Sequence, residues 1–263
     1  MASFFPSGPA LPACKSLVVK GSYHPSAPIH LALSHSANFP DTCILMITPS
    51  RETMATALRE HNDDWIYPPS PAHFAYLVSV LTTDHQSQNS TAILDQTPSL
   101  VVLIELSAYF LTDVETNPNC HPWTLSSYMT LVTRTLASFA ALSSPRSEPS
   151  TSSPDIALVL FDSQLDHLKL PVLKSPTIGA SSRKPTKPEN VALFVQKYFD
   201  MVAVFEEDDE FFLNSSQEDE AEMDAQRRNR VQIFRRGQNL PFETRRWIER
   251  PGGDSGGTVF IWD

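Results

Sequence analysis

The hydrophobic residues of this chain fall into short continuous runs that alternate with stretches of helical spacing. Five apolar runs predict strands, and they span 17–20, 43–48, 100–104, 156–161 and 201–205. The continuous run 100–104 is typical of a strand buried on both faces of a parallel sheet. Apolar residues at helical spacing occur between them, over 71–81, 124–142 and 191–198, and Ser50 is placed to cap a helix that runs to about residue 61. The alternation predicts an α/β fold with a mainly parallel sheet flanked by helices.

The C-terminal part has a different pattern, because charged and apolar residues alternate there. Arginines interleave with Val231, Ile233 and Phe234, which predicts a strand with one polar face. The segments 245–249 and 258–262 flank a glycine-rich stretch, and this arrangement predicts an antiparallel hairpin. The stretch resembles the surroundings of the nucleophile in chymotrypsin-like proteases, but only eight residues follow Ser255, so we interpret Ser255 as a turn residue.

Proline and polar residues indicate where the core is interrupted. The chain has 22 prolines and eight glycines, and most of the prolines lie in polar stretches. We predict a flexible N-terminus over 1–14 and a single domain over 15–263. Its predicted loop insertions lie near 85–97, 143–154 and 174–188, with an acidic insertion over 206–224.

The overall charge is negative but unevenly distributed. The net charge is −10, which argues against a broad nucleic-acid surface. The acidic insertion is interpreted as a solvated loop or as a docking segment that competes with DNA for the arginines that follow it. Three cysteines without paired spacing and the lack of a leader or of a long apolar run predict a soluble intracellular protein in a reducing compartment.

The loop after the first strand is the place where a parallel α/β fold carries its chemistry. A phosphate-binding loop has the pattern G-x-x-x-x-G-K followed by Ser or Thr. Gly21 matches the first glycine, whereas Ser26 replaces the second glycine, Ala27 replaces the lysine and Pro28 replaces the hydroxyl residue. Pro25 and Pro28 also remove two N–H donors. We therefore predict no ATP hydrolysis, no catalytic residue, no cofactor and no metal cluster in this chain.

Three segments carry a resemblance to RecA-type recombinase paralogues, over roughly residues 15–205. Residues 44–49 resemble the second strand of that family, 65–70 precede a helix, and 98–110 resemble its Walker B strand. The resemblance places Glu105 where the family has an Asp that helps to hold magnesium, and Asp162 where a sensor residue lies. Each of these carboxylates has a structural alternative, which is to hydrogen-bond neighbouring loops at the end of a strand.

Within that family the chain resembles the small ATPase-like subunit of Shu-type complexes. The resemblance implies a non-catalytic adaptor in the nucleus that heterodimerises with a SWIM-domain protein, which would carry the zinc site, and that assists a RecA-type recombinase on single-stranded DNA. The predicted contacts to DNA or to a partner are Arg227, Arg228, Arg230, Arg235 and Arg236. Two alternatives stay open: a RecA-fold structural subunit of an Elongator-like tRNA-modifying complex, and a nucleotide-binding enzyme with a divergent loop that depends on Glu105.

Overall fold

The structure is a computed structural model that describes residues 2–40, 42–49, 68–82, 92–94, 96–111, 125–143, 157–168, 197–208, 227–252 and 258–263. Its helices are α1 (Ala27–Asn38), α2 (Pro71–Val80), α3 (Ala108–Leu111) and α4 (Leu125–Ser143), with a 3-10 turn at Leu165–His167. Its strands are β1 (Ser16–Gly21), β2 (Cys43–Ile47), β3 (Leu81–Thr82), β4 (Ala92–Ile93), β5 (Pro98–Ile104), β6 (Ala157–Asp162), β7 (Met201–Glu207), β8 (Arg227–Arg235), β9 (Glu243–Pro251) and β10 (Thr258–Trp262).

The main sheet of the described residues contains eight strands in the order β10-β9-β8-β7-β1-β6-β5-β2. The five strands from β7 to β2 are parallel, and β8, β9 and β10 extend the sheet with antiparallel pairing. The predicted α/β fold class is therefore confirmed: a mainly parallel sheet with flanking helices and antiparallel strands at its C-terminal side.

Both faces of the parallel strands are covered, which explains their continuous apolar sequences. Along β1, Val18 faces a core with α2 and α4, whereas Leu17 and Val19 face a second core that includes Leu31 of α1. All seven residues of β5 are buried, as expected for a strand between two layers of helix. The two cores stabilise the sheet. Because the five strands are parallel, their carboxyl ends lie at one edge.

The described residues 2–14 pack into the second core, in the segment 1–14 for which the sequence predicted flexibility. Phe4 and Phe5 are each only 2% exposed. The guanidinium group of Arg245 also donates hydrogen bonds to the carbonyl oxygens of Pro9 and Ala10, at 3.0 and 2.8 Å. The prolines of this segment follow two aromatic anchors, Phe4 and Phe5, whose burial orders the segment.

Helix α1 was not predicted, although it provides Leu31 to the second core. Its sequence contains Ser, His and Asn, which are weak helix formers, and its Leu33 is 62% exposed. The available signal was a proline in its first turn, Pro28, two residues after the N-cap residue Ser26. Packing against the sheet therefore stabilises a helix that local propensity does not indicate.

The remaining predictions have mixed outcomes. The C-terminal hairpin is confirmed, because β9 and β10 pair antiparallel, while Ser255 lies outside the described residues. In the insertion near 85–97, Ala92–Ile93 form the short strand β4 beside β3. The helix after Ser50, the segments 144–154 and 174–188, and residues 209–224 lie outside the described part. Residues 191–196 of the predicted helix 191–198 also lie outside the described part. Its last two residues, 197 and 198, lie in a turn.

Candidate functional site

Three strand ends meet at the carboxyl edge of the parallel sheet, where α/β folds place their binding sites. Gly21 ends β1, Glu105 directly follows β5, and Asp162 ends β6. In the pairing of β1 with β6, Lys20 lies beside Asp162, and β5 lies on the other side of β6. The structure therefore brings together the loop and the two carboxylates that the resemblance singled out.

Asp162 is completely buried and hydrogen-bonded. Its carboxylate accepts hydrogen bonds from the backbone N–H of Ser107 at 2.9 Å, from the Ser107 hydroxyl, and from the N–H of Gln164 at 3.3 Å. Burial, and then the negative charge of Glu105, raise the pKa of Asp162 to about 7, while the bonds from Ser107 act in the opposite direction. The Asp162 carboxyl therefore changes its protonation state near neutral pH.

Tyr128 of α4 lies beside this carboxyl and is also completely buried. Its hydroxyl interacts with Asp162 without reaching the geometry of a standard hydrogen bond to any described residue. Burial, followed by the charge of Asp162, raises the pKa of Tyr128 well above its ordinary value. The phenol is therefore neutral and can donate to the carboxylate.

Glu105 joins the loops that follow β1 and β6. Its φ of 52° lies in the left-handed region and turns the chain away from β5, while its N–H donates to the carbonyl of Phe161 at 2.7 Å. Its Oε1 accepts a hydrogen bond from the hydroxyl of Tyr23 and another from the N–H of Ser163 at 3.1 Å. Glu105, which the resemblance places at a magnesium position, is thus bonded to the protein, and this agrees with the alternative that it hydrogen-bonds neighbouring loops.

The Tyr23 side chain is held over the same edge. Its ring packs edge-on against Phe161, with 5.2 Å between ring centres, and its hydroxyl binds Glu105. Burial and the neighbouring carboxylate of Glu105 raise the pKa of Tyr23 far above its ordinary value. A neutral phenol therefore lies against the Glu105 carboxylate.

The loop between β1 and α1 bonds its own backbone donors. The N–H of Tyr23 donates to the carbonyl of Gly21, and the N–H of Ala27 donates to the carbonyl of His24, each at 2.9 Å. The N–H of Ser26 donates to Nδ1 of His24 at 3.3 Å, and burial lowers the pKa of His24, which favours the neutral ring that accepts this bond. Phosphate-binding loops aim such N–H groups at the ligand. Here these three N–H groups bond acceptors of the protein itself.

Lys20 brings a positive charge to this edge, but that charge is paired. The residue is 8% exposed, and its Nζ donates to both carboxylate oxygens of Asp166, at 3.2 and 3.1 Å. The cation is therefore engaged with the turn that follows β6. Bound in this way, it does not supply the charge that the lysine of a phosphate-binding loop would direct at a nucleotide.

The arrangement is a hydrogen-bonded cluster that can hold a proton and connect three strand ends. It contains a carboxyl group titrating near neutral pH, two neutral phenols and one ion pair. Within the described ranges, no group of three or more His, Cys, Asp or Glu side chains is arranged to hold a metal ion. No described helix is long and apolar enough to cross a membrane.

The five predicted contact arginines lie on β8 or directly after it, and they form two groups. Arg227, Arg228 and Arg230 lie in the first half of the strand, whereas Arg235 and Arg236 lie at its far end. Because a strand rises by 3.2–3.4 Å per residue, the centres of the two groups are roughly 20–25 Å apart along β8. The structure therefore does not join them into one basic patch.

The first group is paired with the start of the acidic insertion. Arg227 forms an ion pair with Glu207, and Arg230 donates through Nε and a terminal nitrogen to Glu206, at 3.0 and 2.9 Å. The next residue of the chain, Asp208, pairs with Arg246 of β9 at 2.9 Å. The positive charge at this end is therefore largely balanced by carboxylates.

The second group lies at the exposed turn between β8 and β9. The guanidinium carbon of Arg235 lies 3.8 Å from the ring centre of Phe242, a cation–π contact, and Phe242 is 45% exposed. Arg236 donates two hydrogen bonds to the carbonyl of Lys197, at 3.1 and 2.7 Å. Sites for single-stranded nucleic acid combine positive charge with exposed aromatic side chains, and this turn contains both residue types.

Several residues of the carboxyl-edge cluster were not found from the sequence. Tyr23, Ser107 and Lys20 carry no motif, and Tyr128 appears in the sequence only as part of the apolar face of a helix. The bond between Tyr23 and Glu105 joins residues 82 positions apart, and the bond between Ser107 and Asp162 joins residues 55 positions apart. Local patterns do not report such contacts.

Comparison with known proteins gives little further information. No protein-family model matches the sequence, and no curated protein matches it. Among solved structures, the chain is similar to the flagellar accessory protein FlaH from Methanocaldococcus jannaschii, with a TM-score of 0.43 and 9% identity over 95% of this chain and 89% of FlaH. A likeness this distant carries no conclusion about function.

The raised pKa of Asp162 predicts how stability depends on pH. In the folded protein Asp162 holds its proton up to about pH 7, whereas in the unfolded chain it loses the proton near its ordinary pKa of 3.8. The folded state therefore binds more protons between these values, and this residue's contribution to stability falls as pH rises through that window. In Asp162→Asn this fall is expected to disappear. Across the window, the free energy of unfolding of the wild-type chain should fall relative to that of Asp162→Asn by up to about 4 kcal/mol.

The measurement is urea unfolding of the wild-type chain and Asp162→Asn at a series of pH values. Taking the difference between the two proteins removes the contribution of the other titrating groups. A difference that does not change with pH would show that Asp162 titrates equally in the folded and unfolded states and would contradict the prediction.

Proposed function

We propose that this chain is a non-catalytic RecA-like adaptor subunit. The observation that supports this most directly is the self-bonded carboxyl edge: three backbone N–H donors after β1, the Glu105 carboxylate and the Lys20 ammonium are bound to protein groups. An enzyme that binds a nucleotide would keep such groups for phosphate and magnesium. The RecA-like sheet then serves as an interaction platform.

The complex that we propose is a Shu-type assembly for homologous recombination in the nucleus. The chain would heterodimerise with a SWIM-domain protein, and the pair would assist a RecA-type recombinase on single-stranded DNA. This assignment is supported by the family resemblance of residues 15–205 and by the Arg235–Phe242 pair at the β8–β9 turn.

The proposal is tested by purifying the tagged chain from its own cells and identifying the associated proteins by mass spectrometry. Recovery of a SWIM-domain protein with a RecA-type recombinase is the expected result. Recovery of Elongator subunits instead would contradict the DNA-repair assignment and favour the tRNA-modifying alternative, in which the same fold is also an adaptor.

The purified chain is expected not to bind ATP with magnesium at millimolar concentrations, because three loop N–H groups and Lys20 are already bonded within the protein. Isothermal titration calorimetry measures this directly. ATP binding that is lost in Glu105→Gln would contradict the proposal and support the divergent enzyme.

The DNA contact is expected to depend on the arginines of the exposed turn. In the reconstituted heterodimer, Arg235→Glu should weaken binding to single-stranded DNA about tenfold, because it removes a cation and the cation–π pair with Phe242. Adding Arg236→Glu should weaken it further. Fluorescence anisotropy with a labelled oligonucleotide measures both.

The matched control is Arg134→Glu, which makes the same charge reversal at an exposed position on α4. If Arg235→Glu and Arg134→Glu reduce affinity equally, the effect comes from net charge alone. Unchanged binding by the Arg235 and Arg236 double variant would assign this turn to protein docking or to structure.

A further inference from the structure

β10 forms one edge of the main sheet. Within the described part of the chain it is paired with β9 alone, so its second side is open. The edge of a sheet presents a row of backbone N–H and C=O groups that can pair with another strand.

The alternation of the ladder shows which backbone groups face the open side. The N–H of Asp263 donates to the carbonyl of Arg246 at 3.1 Å, so this pair is of the hydrogen-bonded type. Because hydrogen-bonded and non-hydrogen-bonded pairs alternate in antiparallel strands, Ile261 and Val259 also bond β9. The N–H and C=O groups of Phe260 and Trp262 are therefore directed at the open edge.

The inner face of β10 is held firmly by the N-terminal segment. The ring of Phe260 stacks on Phe5, with 4.2 Å between ring centres and an angle of 22°. The backbone at Gly8 passes so close to Trp262 that an added Cβ would lie 2.7 Å from the indole ring. The strand is thus ordered before any partner arrives, which lowers the entropic cost of pairing.

The outer face of β10 is apolar and exposed. Val259 is 49% exposed and Ile261 is 40% exposed. Along this face the order is Val259, Ile261 and Asp263, and Arg250 of β9 lies directly beside Val259. The face therefore has a positive charge at its beginning, apolar residues in the middle and a negative charge at its end.

We propose that β10 pairs antiparallel with β10 of a second copy of this chain, across a two-fold axis at Ile261. In this register Phe260 lies beside the partner's Trp262, so the open N–H and C=O groups of both residues meet. Each copy contributes one such pair, which gives four hydrogen bonds. Ile261 then lies beside the partner's Ile261, and each side chain covers part of the other's exposed surface.

Charge complementarity favours a second copy as the occupant. Antiparallel pairing places Asp263 beside the partner's Val259, within reach of the partner's Arg250, and symmetry repeats this ion pair. The net charge of −10 on each copy opposes association at long range, and physiological salt screens this repulsion. Because one edge strand buries little area, the dimer is reversible and depends on protein concentration. This inference goes beyond the proposed function and does not depend on it.

The first test is disulfide cross-linking of purified full-length Ile261→Cys. Directly opposed residues in a non-hydrogen-bonded pair have Cβ atoms about 4.5–5.5 Å apart, close to the separation that a disulfide needs. Mild oxidation is expected to convert most of this variant to a covalent dimer. Leu33→Cys, at a position that is 62% exposed on α1, controls for random collision, and the wild-type chain controls for its native cysteines. Equal cross-linking of Ile261→Cys and Leu33→Cys would overturn the proposal.

The second test is a charge exchange followed by sedimentation equilibrium at physiological salt. Arg250→Glu and Asp263→Arg should each weaken dimerisation about three- to tenfold, because each leaves two like charges opposed. The double variant restores opposite charges and should dimerise within about twofold of wild type. Two results would overturn the proposal. One is a double variant whose loss of dimerisation affinity equals the two single losses combined. The other is a wild-type chain that stays monomeric at every concentration.

Discussion

Gly21→Ala is expected to destabilise the protein by at least about 3 kcal/mol or to prevent folding. Gly21 has a φ of +87°, and an added Cβ would lie 2.1 Å from the carbonyl oxygen of Phe205. The two residues are paired where β1 and β7 run side by side, so the obstacle is the backbone of the neighbouring strand. Backbone in a sheet cannot move aside as a flexible side chain can.

Gly237→Ala is the matched control for this prediction. Gly237 has a φ of +74°, but an added Cβ would have no neighbour within 4 Å. Its substitution should cost about 1–2 kcal/mol, the price of a left-handed conformation alone. Urea unfolding of both variants separates the two causes. Equal losses would show that the clash at Gly21 is relieved by a small shift of the strands.

The fold therefore requires glycine at position 21 for a reason that is independent of any nucleotide. It was the one residue of the loop that matched a phosphate-binding pattern, and the close approach of β7 accounts for it. A glycine that allows contact between backbones is a common feature at strand ends. The match is consequently no argument for a nucleotide site.

Phe5→Ala is expected to reduce the free energy of unfolding by about 3–5 kcal/mol, as for other buried aromatic residues. Phe5 is 2% exposed and contacts the rings of Phe205, Trp247 and Phe260. Its removal leaves a cavity between the N-terminal segment and the antiparallel strands. Because the same ring stacks on Phe260, the variant should also loosen β10.

Phe39→Ala makes the same chemical change at a residue that is 49% exposed, and it should cost less than about 1 kcal/mol. Thermal or urea unfolding of the two variants provides the comparison. A loss at Phe5 no larger than that at Phe39 would mean that the N-terminal segment contributes little to the fold, as the sequence had suggested.

Much of the fold could be predicted because strands of a parallel sheet have a local signature. The run 100–104 is apolar at every position, and the structure places it in β5 with helices on both sides. The alternation around Val231 and Ile233 likewise predicted β8, in which these two residues are buried. Helix α1 could not be predicted, since its stability comes from packing against the sheet rather than from its own residues.

The candidate site could be predicted only in outline. The resemblance pointed to Glu105 and Asp162, and both lie at the carboxyl edge of the sheet. It did not indicate Tyr23, which bonds Glu105, or the division of the five arginines into two groups. The pairing of Arg227 and Arg230 with acidic residues also depends on the register of β7 against β8.

The amino-acid sequence alone established the α/β class, the main strands and the loss of the lysine and glycine of a phosphate-binding loop, because each of these is a property of neighbouring residues. Tertiary contacts established the burial of the N-terminal segment, the bonded state of Glu105 and Lys20, and the position of β10 at the end of the described sheet. These features depend on residues far apart in the chain, whose proximity arises only when the two cores form on either side of the sheet.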